Sequence, residues 1–150
     1  MAAGPAPYWP SYQHGPGGNR VAETRRTPGK SDSRTYAYPS GAQPHTLRSV
    51  TGADGAETFG YNAKGQTTSR QGQILTWDRQ GHLTQVTGTG GATAFTYTAD
   101  GDRLLREDSG GTTLYLGKQE IQVAANGGTP VVTRYFTHGE RTVAMHRGSA

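Results

Sequence analysis

From Glu57 onward the chain runs in short stretches in which Thr, Tyr or an aliphatic residue alternates with a polar neighbour, and Gly recurs every eight to twelve positions. Alternation of period two sends successive side chains to opposite faces of a strand, and turn residues at that spacing predict an antiparallel meander. Strands are expected at about 57–62, 66–70, 73–78, 82–87, 93–98, 103–108, 112–116, 119–124, 131–137 and 140–146. Three connections, Asn62 to Gly65, Asp78 to Gly81 and Thr98 to Gly101, carry Gly at the fourth position. A type I turn that closes through a bulge needs a residue of positive φ there. Gly110-Gly111, Asn126-Gly127 and His138-Gly139 read as tighter reversals. No stretch of a dozen residues repeats its apolar positions at the spacing of a helix face.

Before Glu57 the pattern is poorer. Residues 1–34 are rich in Gly, Pro, Arg and Ser and are expected to form an irregular arm, within which Tyr12 to Arg20 resembles a degenerate copy of the later turns. Residues 35–56 read as a loop-rich connection: alternation begins at Tyr36 and Tyr38, but Pro39 and Pro44 cannot donate to a ladder. The expected organisation is an arm (1–34), a connection (35–56) and a repeat sheet (57–147).

The three strong turns align as Tyr61, Asn62, Gly65; Trp77, Asp78, Gly81, Leu83; and Tyr97, Gly101, Arg103, Leu104. The shared pattern is an aromatic residue, a polar residue, two free positions, Gly and a polar residue, with one hairpin per copy and offsets of 16 and 20 residues. The aromatic ends a strand, the polar residue bonds back to the turn backbone, and Gly supplies the left-handed conformation. Stacked copies are expected to set aromatic beside aromatic.

With these three copies, and with the segments around Tyr115 and Gly117 and around Tyr135 and Gly139, the chain resembles the RHS-repeat or YD-repeat family of large bacterial proteins, whose relatives include toxin-complex components and teneurins. The resemblance covers residues 57–147 well and 35–56 loosely. It implies an all-β fold in which antiparallel hairpin repeats form a curved or spiral sheet, part of a shell that encloses a C-terminal toxin or acts in cell-surface contact. It also implies an extracellular or cell-surface location and, as partners, the remaining repeats or core of a larger polypeptide and an enclosed toxin. Two copies depart from the family pattern, since Asn62 and Thr98 stand where only Asp78 keeps the Asp. The Arg- and Pro-containing core segment and the toxin that follow the family's repeats have no counterpart before Ala150, so a fragment or a remnant is expected.

Composition narrows the function classes. Leu, Ile, Val and Phe supply 19 of 150 residues, about 13% and below the roughly 20% of chains with a conventional core. Gly, Pro, Ser and Gln supply about a third, which alone would suggest disorder, but 21 Thr, 8 Tyr and 2 Trp favour a pleated sheet. A compact enzyme core is not expected. Residues 1–56 hold six bases and three acids and residues 57–150 nine and eight, without a basic stripe that would give a run of phosphate contacts, which argues against nucleic-acid binding. There is no Cys, no long apolar run for membrane insertion and no signal peptide at the N-terminus. Unpaired strand edges are expected to promote self-association.

Candidate chemistry is sparse. Asp100/Asp102 and Glu107/Asp108 are paired carboxylates, but Asp100 and Asp102 flank a turn glycine, where Asp serves the turn. The same pair lacks the further spaced acids of a calcium loop. His14, His45, His82, His138 and His146 lack zinc-ligand spacing, and no Gly-x-Ser-x-Gly elbow is present. No catalytic residue, cofactor or metal is expected. The alternative to a structural segment is a carbohydrate- or protein-binding module that uses Tyr61, Trp77, Phe95, Tyr97, Tyr115, Tyr135 and Phe136 as an aromatic face.

Overall fold

The computed structural model describes residues 7–149, and their regular structure is entirely strand: fourteen antiparallel strands in sequential order and, among the described residues, no helix. The chain divides into two units at Gln71 and Gly72. In the first, β1 (Trp9–His14), β2 (Arg20–Thr27), β3 (Lys30–Ala37), β4 (Ser49–Gly52), β5 (Gly55–Tyr61) and β6 (Thr67–Arg70) pair in turn. In the second, β7 (Gln73–Trp77), β8 (Leu83–Gly88), β9 (Gly91–Tyr97), β10 (Arg103–Asp108), β11 (Gly111–Leu116), β12 (Gln119–Ala124), β13 (Val131–His138) and β14 (Arg141–Ser149) do the same.

The ten strands predicted after Glu57 are β5 to β14, with ends displaced by at most three residues. The irregular arm is corrected. Residues 1–6 lie outside the described residues, but β1, β2 and the start of β3 occupy most of the rest of that segment. The reason is chemical: the alternating positions of β2 that face one way are Val21, Glu23 and Arg25, so the period is present but written in charges. Thr27 to Lys30 closes the β2–β3 hairpin, with Pro28 ahead of Gly29 at φ 76° as a type II turn requires. The expected 35–56 connection likewise contains the end of β3, all of β4 and the start of β5. Its irregular part is tied down by side chains: Asn19 donates to the Pro44 carbonyl at 2.8 Å, and Gln43 donates to those of Asn62 and Ala63 at 2.9 and 3.1 Å.

Each unit is a single layer, and few side chains are enclosed. Among the described residues only Leu75, Glu23 and Thr133 are buried. Residues directly opposite in a ladder share a face, which defines two unlike faces in each unit. In the second unit, Leu105, Leu114, Ile121 and Val132 form an unbroken aliphatic row across β10 to β13. The reverse face carries Phe95, Arg106, Thr113, Gln122 and Val131 in one row and Tyr115, Glu120 and Thr133 in the next. In the first unit, Ser11, Thr24 and Ser33 share one face, with the Thr24 and Ser33 hydroxyls 3.1 Å apart, while Tyr12, Glu23 and Arg34 share the other. Stability therefore rests on ladder hydrogen bonds and cross-strand pairs, each worth about 0.2–1 kcal/mol.

Candidate functional site

The repeat turns are one device built four times. Asn62 N–H donates to the Gln66 carbonyl at 3.0 Å, and Gly65 N–H to that of Asn62 at 3.0 Å. The pair recurs from Thr98 to Asp102 at 2.8 and 3.1 Å, and from Gly15 to Asn19 at 2.8 and 2.9 Å. Asp78 N–H meets the His82 carbonyl at 3.0 Å, while Gly81 N–H turns to the Asp78 carboxylate at 2.7 Å. The fourth residue is glycine each time, with φ of 80°, 80°, 102° and 90° at Gly18, Gly65, Gly81 and Gly101. A side chain there would be held in a conformation L-residues rarely adopt. The ladder slips by a residue beside each turn.

The residue after the aromatic caps the turn. Asn62 Oδ1 accepts from Lys64 and Gln66 N–H at 3.0 and 3.1 Å, and Thr98 Oγ1 accepts from Asp102 N–H at 3.1 Å. Asp78 does most: its Oδ1 takes Gly81 and His82 N–H at 2.7 and 2.8 Å, and its Oδ2 lies 3.0 Å from the His82 ring nitrogen. Partial desolvation opposes its charge, but the hydrogen bonds from the His82 backbone and ring and from Gly81 outweigh it, so the carboxyl titrates below its ordinary value. Asp78→Ala should therefore lower the melting temperature, whereas Asp78→Asn, which keeps one acceptor, should retain most of it. Thermal melts of both variants decide this, and equal losses would show that the backbone bonds are not what Asp78 supplies.

Around Tyr12, Tyr36, Phe95 and Tyr115 the aromatics are bridged through the strand between them. Aromatics on alternate strands lie about 10 Å apart, too far to stack. His82 stacks on Tyr97, with ring centroids 4.7 Å apart and planes at 21°. The Arg103 guanidinium lies 4.8 Å from the Phe95 centroid and 5.9 Å from that of Tyr115. Arg20 repeats this in the first unit, 4.5 Å from Tyr12 and 5.6 Å from Tyr36. Both arginines stand two residues after a turn glycine. Tyrosine hydroxyls then bond carboxylates: Tyr36 to Glu23 at 2.7 Å and Tyr135 to Glu120 at 3.0 Å. The Tyr36 bond, helped by Arg25 and Arg20, holds Glu23 below its ordinary value against the effect of burial.

The predicted residues thus assemble in two places. Tyr61, Asn62 and Gly65 belong to the first unit. Trp77, Asp78, Gly81 and Leu83 lie beside Tyr97, Gly101 and Arg103 in the second, where the Tyr97 hydroxyl donates to the Leu83 carbonyl at 2.9 Å. Leu104 is the bulged residue between Arg103 and Leu105. Gly117 and Gly139 close the β11–β12 and β13–β14 hairpins at φ 58° and 59°. Phe136 sits on the opposite face from Tyr135 and is 52% exposed. Arg20, Glu23 and Tyr36 were not legible as a cluster, because their sequence separation has no motif. The Arg that follows Gly18-Asn19, as Arg103 follows Gly101-Asp102, was the available signal.

Of the carboxylate pairs, Asp100 and Asp102 are exposed in the turn. Glu107 and Asp108 are sequence neighbours in β10 and point to opposite faces. Asp108 accepts from Gly110 N–H at 2.8 Å and from Arg106, which hold it below its usual value. Among the described residues no group of three His, Asp or Glu is placed to hold a metal ion. No helix of the described residues is long and apolar enough to cross a membrane.

No family profile matches the chain, and no curated protein does. Solved structures do. A crystal structure of TcdB2-TccC3-TEV is similar at 16% identity and a TM-score of 0.50, over 92% of this chain and 10% of that one. A structure of the Photorhabdus luminescens Tc holotoxin pore carrying a TccC3 mutation is similar at 16% identity and 0.50, over 93% of this chain and 9% of that one. The chain spans about a tenth of the length of these neighbours, and at this identity the likeness is one of fold.

Proposed function

We propose that the chain is a non-enzymatic structural segment of an RHS/YD-repeat protein, contributing hairpins to a shell that holds a toxin or meets a cell surface outside the cell. The observation that carries this reading is the fourfold repetition of one turn geometry at Gly18, Gly65, Gly81 and Gly101. The fold likeness to chains from a Tc toxin supports it. So does the scarcity of buried side chains among the described residues, because a layer this exposed gains stability mainly from neighbouring strands. The alternative, a binding module that works through its aromatic face, is weaker because Arg103 lies over Phe95 and Tyr115 and His82 stacks on Tyr97, which covers three of the rings that a sugar or partner would stack upon.

An antibody raised against residues 57–147 tests the proposal in the source cells. The expected result is an immunoreactive product far above 15.9 kDa. A functional product at 15.9 kDa alone would overturn it, since so short an array encloses nothing.

A further inference from the structure

We infer that the first unit binds an acidic saccharide in the cleft between the start of β1 and the β2–β3 turn, with Trp9 as the stacking platform and Arg26 as the carboxylate ligand. The cleft is open, has a volume of about 620 Å³ and is lined by Pro7, Trp9, Arg26, Pro28, Lys30 and Ser31, among others. That volume lies within the range of small-molecule sites, roughly 300–1,000 Å³.

Three observations select the ligand class. Trp9 is 54% exposed and directly opposite Arg26 in the ladder, which in turn is opposite Ser31, so ring, guanidinium and hydroxyl share one face. Directly opposite residues lie about 5 Å apart, the span of one pyranose ring, so a sugar lying on the indole would present a ring carboxylate to the guanidinium. Secondly, the unit ending at Gln71 has eight Lys and Arg against four Asp and Glu, whereas the unit from Gly72 has seven of each. The whole net positive charge belongs to the unit with the cleft.

Thirdly, each acid of that unit is held by a partner other than Arg26. Glu23 is buried beneath Arg20, Arg25 and Tyr36, Asp32 pairs with Lys30 at 3.0 Å, Asp54 with Arg34 at 3.6 Å, and Glu57 accepts from Gln71 at 2.9 Å. Arg26 touches the Ser11 hydroxyl at 3.5 Å and has no carboxylate partner among the described residues. A guanidinium so placed favours a planar, doubly accepting anion. The flat indole, the Pro28 ring and the Ser31 hydroxyl suit a saccharide better than a peptide of Asp and Glu, whose side chains offer no flat apolar face.

The test uses the full chain, a galacturonic acid trimer, the neutral galactose trimer and a tri-glutamate peptide, with affinity read by calorimetry and by Trp fluorescence. In a Trp77→Phe background the fluorescence reports Trp9 alone. Saturable binding of the acidic trimer is expected, at least tenfold tighter than that of either other probe. Trp9→Ala and Arg26→Gln should each weaken it at least tenfold, with melting curves unchanged because both side chains are exposed. Absence of saturable binding, equal binding of the neutral trimer, or undiminished binding by both variants would overturn the inference. Equal or tighter binding of the peptide would overturn it in favour of an acidic polypeptide partner. Because the cleft lies outside the repeat turns, these outcomes do not depend on the shell reading.

Discussion

Gly111→Ala should abolish cooperative folding of the second unit, or reduce its stability by about 4 kcal/mol or more. Gly111 opens β11 at φ 135°, paired with Asp108 on one side and Ala124 on the other. A Cβ at this position would lie 2.1 Å from the Val123 carbonyl oxygen and 2.8 Å from both Ala124 Cα and Ala125 N. All three are backbone atoms, so no rotamer change relieves the contact. β11 and β12 must separate, and the aliphatic row through Leu114 and Ile121 separates with them. Gly117→Ala, in the same unit, is the control. Gly117 also has a positive φ, 58°, but a Cβ there meets nothing within 4 Å, so the cost is the conformational strain of about 1 kcal/mol. In a Trp9→Phe background, urea unfolding followed by far-UV circular dichroism and Trp77 fluorescence separates the two. Losses within 1 kcal/mol of each other would mean that the β11–β12 register is not as described.

Gly111 also shows what the sequence makes legible and what it hides. Gly110-Gly111 reads as a reversal, and a reversal it is. That the second glycine is held against a third strand depends on β12, and no local pattern carries that information. The same division holds throughout. Strands after Glu57 are legible because Thr, Tyr and aliphatic residues keep period two between turn signals, and the capping roles of Asn62, Asp78 and Thr98 follow from short-range spacing. β1 and β2 were hidden because their alternation runs through Tyr12, Glu23 and Arg25, residues that on composition suggest solvent. The Thr27-Pro28-Gly29-Lys30 turn was the signal that could have exposed them. The arginine bridges were hidden for a geometric reason. An aromatic of one repeat finds its neighbour two strands away, so the group between them comes from a segment that a tandem alignment treats as filler. In a layer without a core, that bridging does the work that aliphatic packing does elsewhere, which explains why so few hydrophobic residues suffice.

Removing the Glu23 carboxylate should therefore destabilise the first unit by about 2 kcal/mol, although the residue is a charged one in a protein rich in exposed charge. Glu23 is 8% exposed and accepts from the Tyr36 hydroxyl at 2.7 Å. Its ion pairs with Arg20 and Arg25 are each 3.4 Å long, and those side chains are 45% and 63% exposed, so solvent screens them and they add little. Most of the loss comes from leaving the Tyr36 hydroxyl, in a part-buried contact, without an acceptor. The carboxyl's folded value is held below its ordinary 4.5, chiefly by that bond, so the folded protein binds fewer protons than the unfolded chain as acid is added. The contribution is complete above the ordinary value and is lost as pH falls through the depressed one. In a Trp77→Phe background, with Trp9 fluorescence reporting the first unit, the acid transition of Glu23→Gln should be shallower than that of the parent. Glu23→Ala and Tyr36→Phe should each cost stability at neutral pH, and the double variant should lose less than the two added together, because both remove one interaction. Strict additivity, or an unchanged acid transition in Glu23→Gln, would show that the first unit is held by its ladders alone.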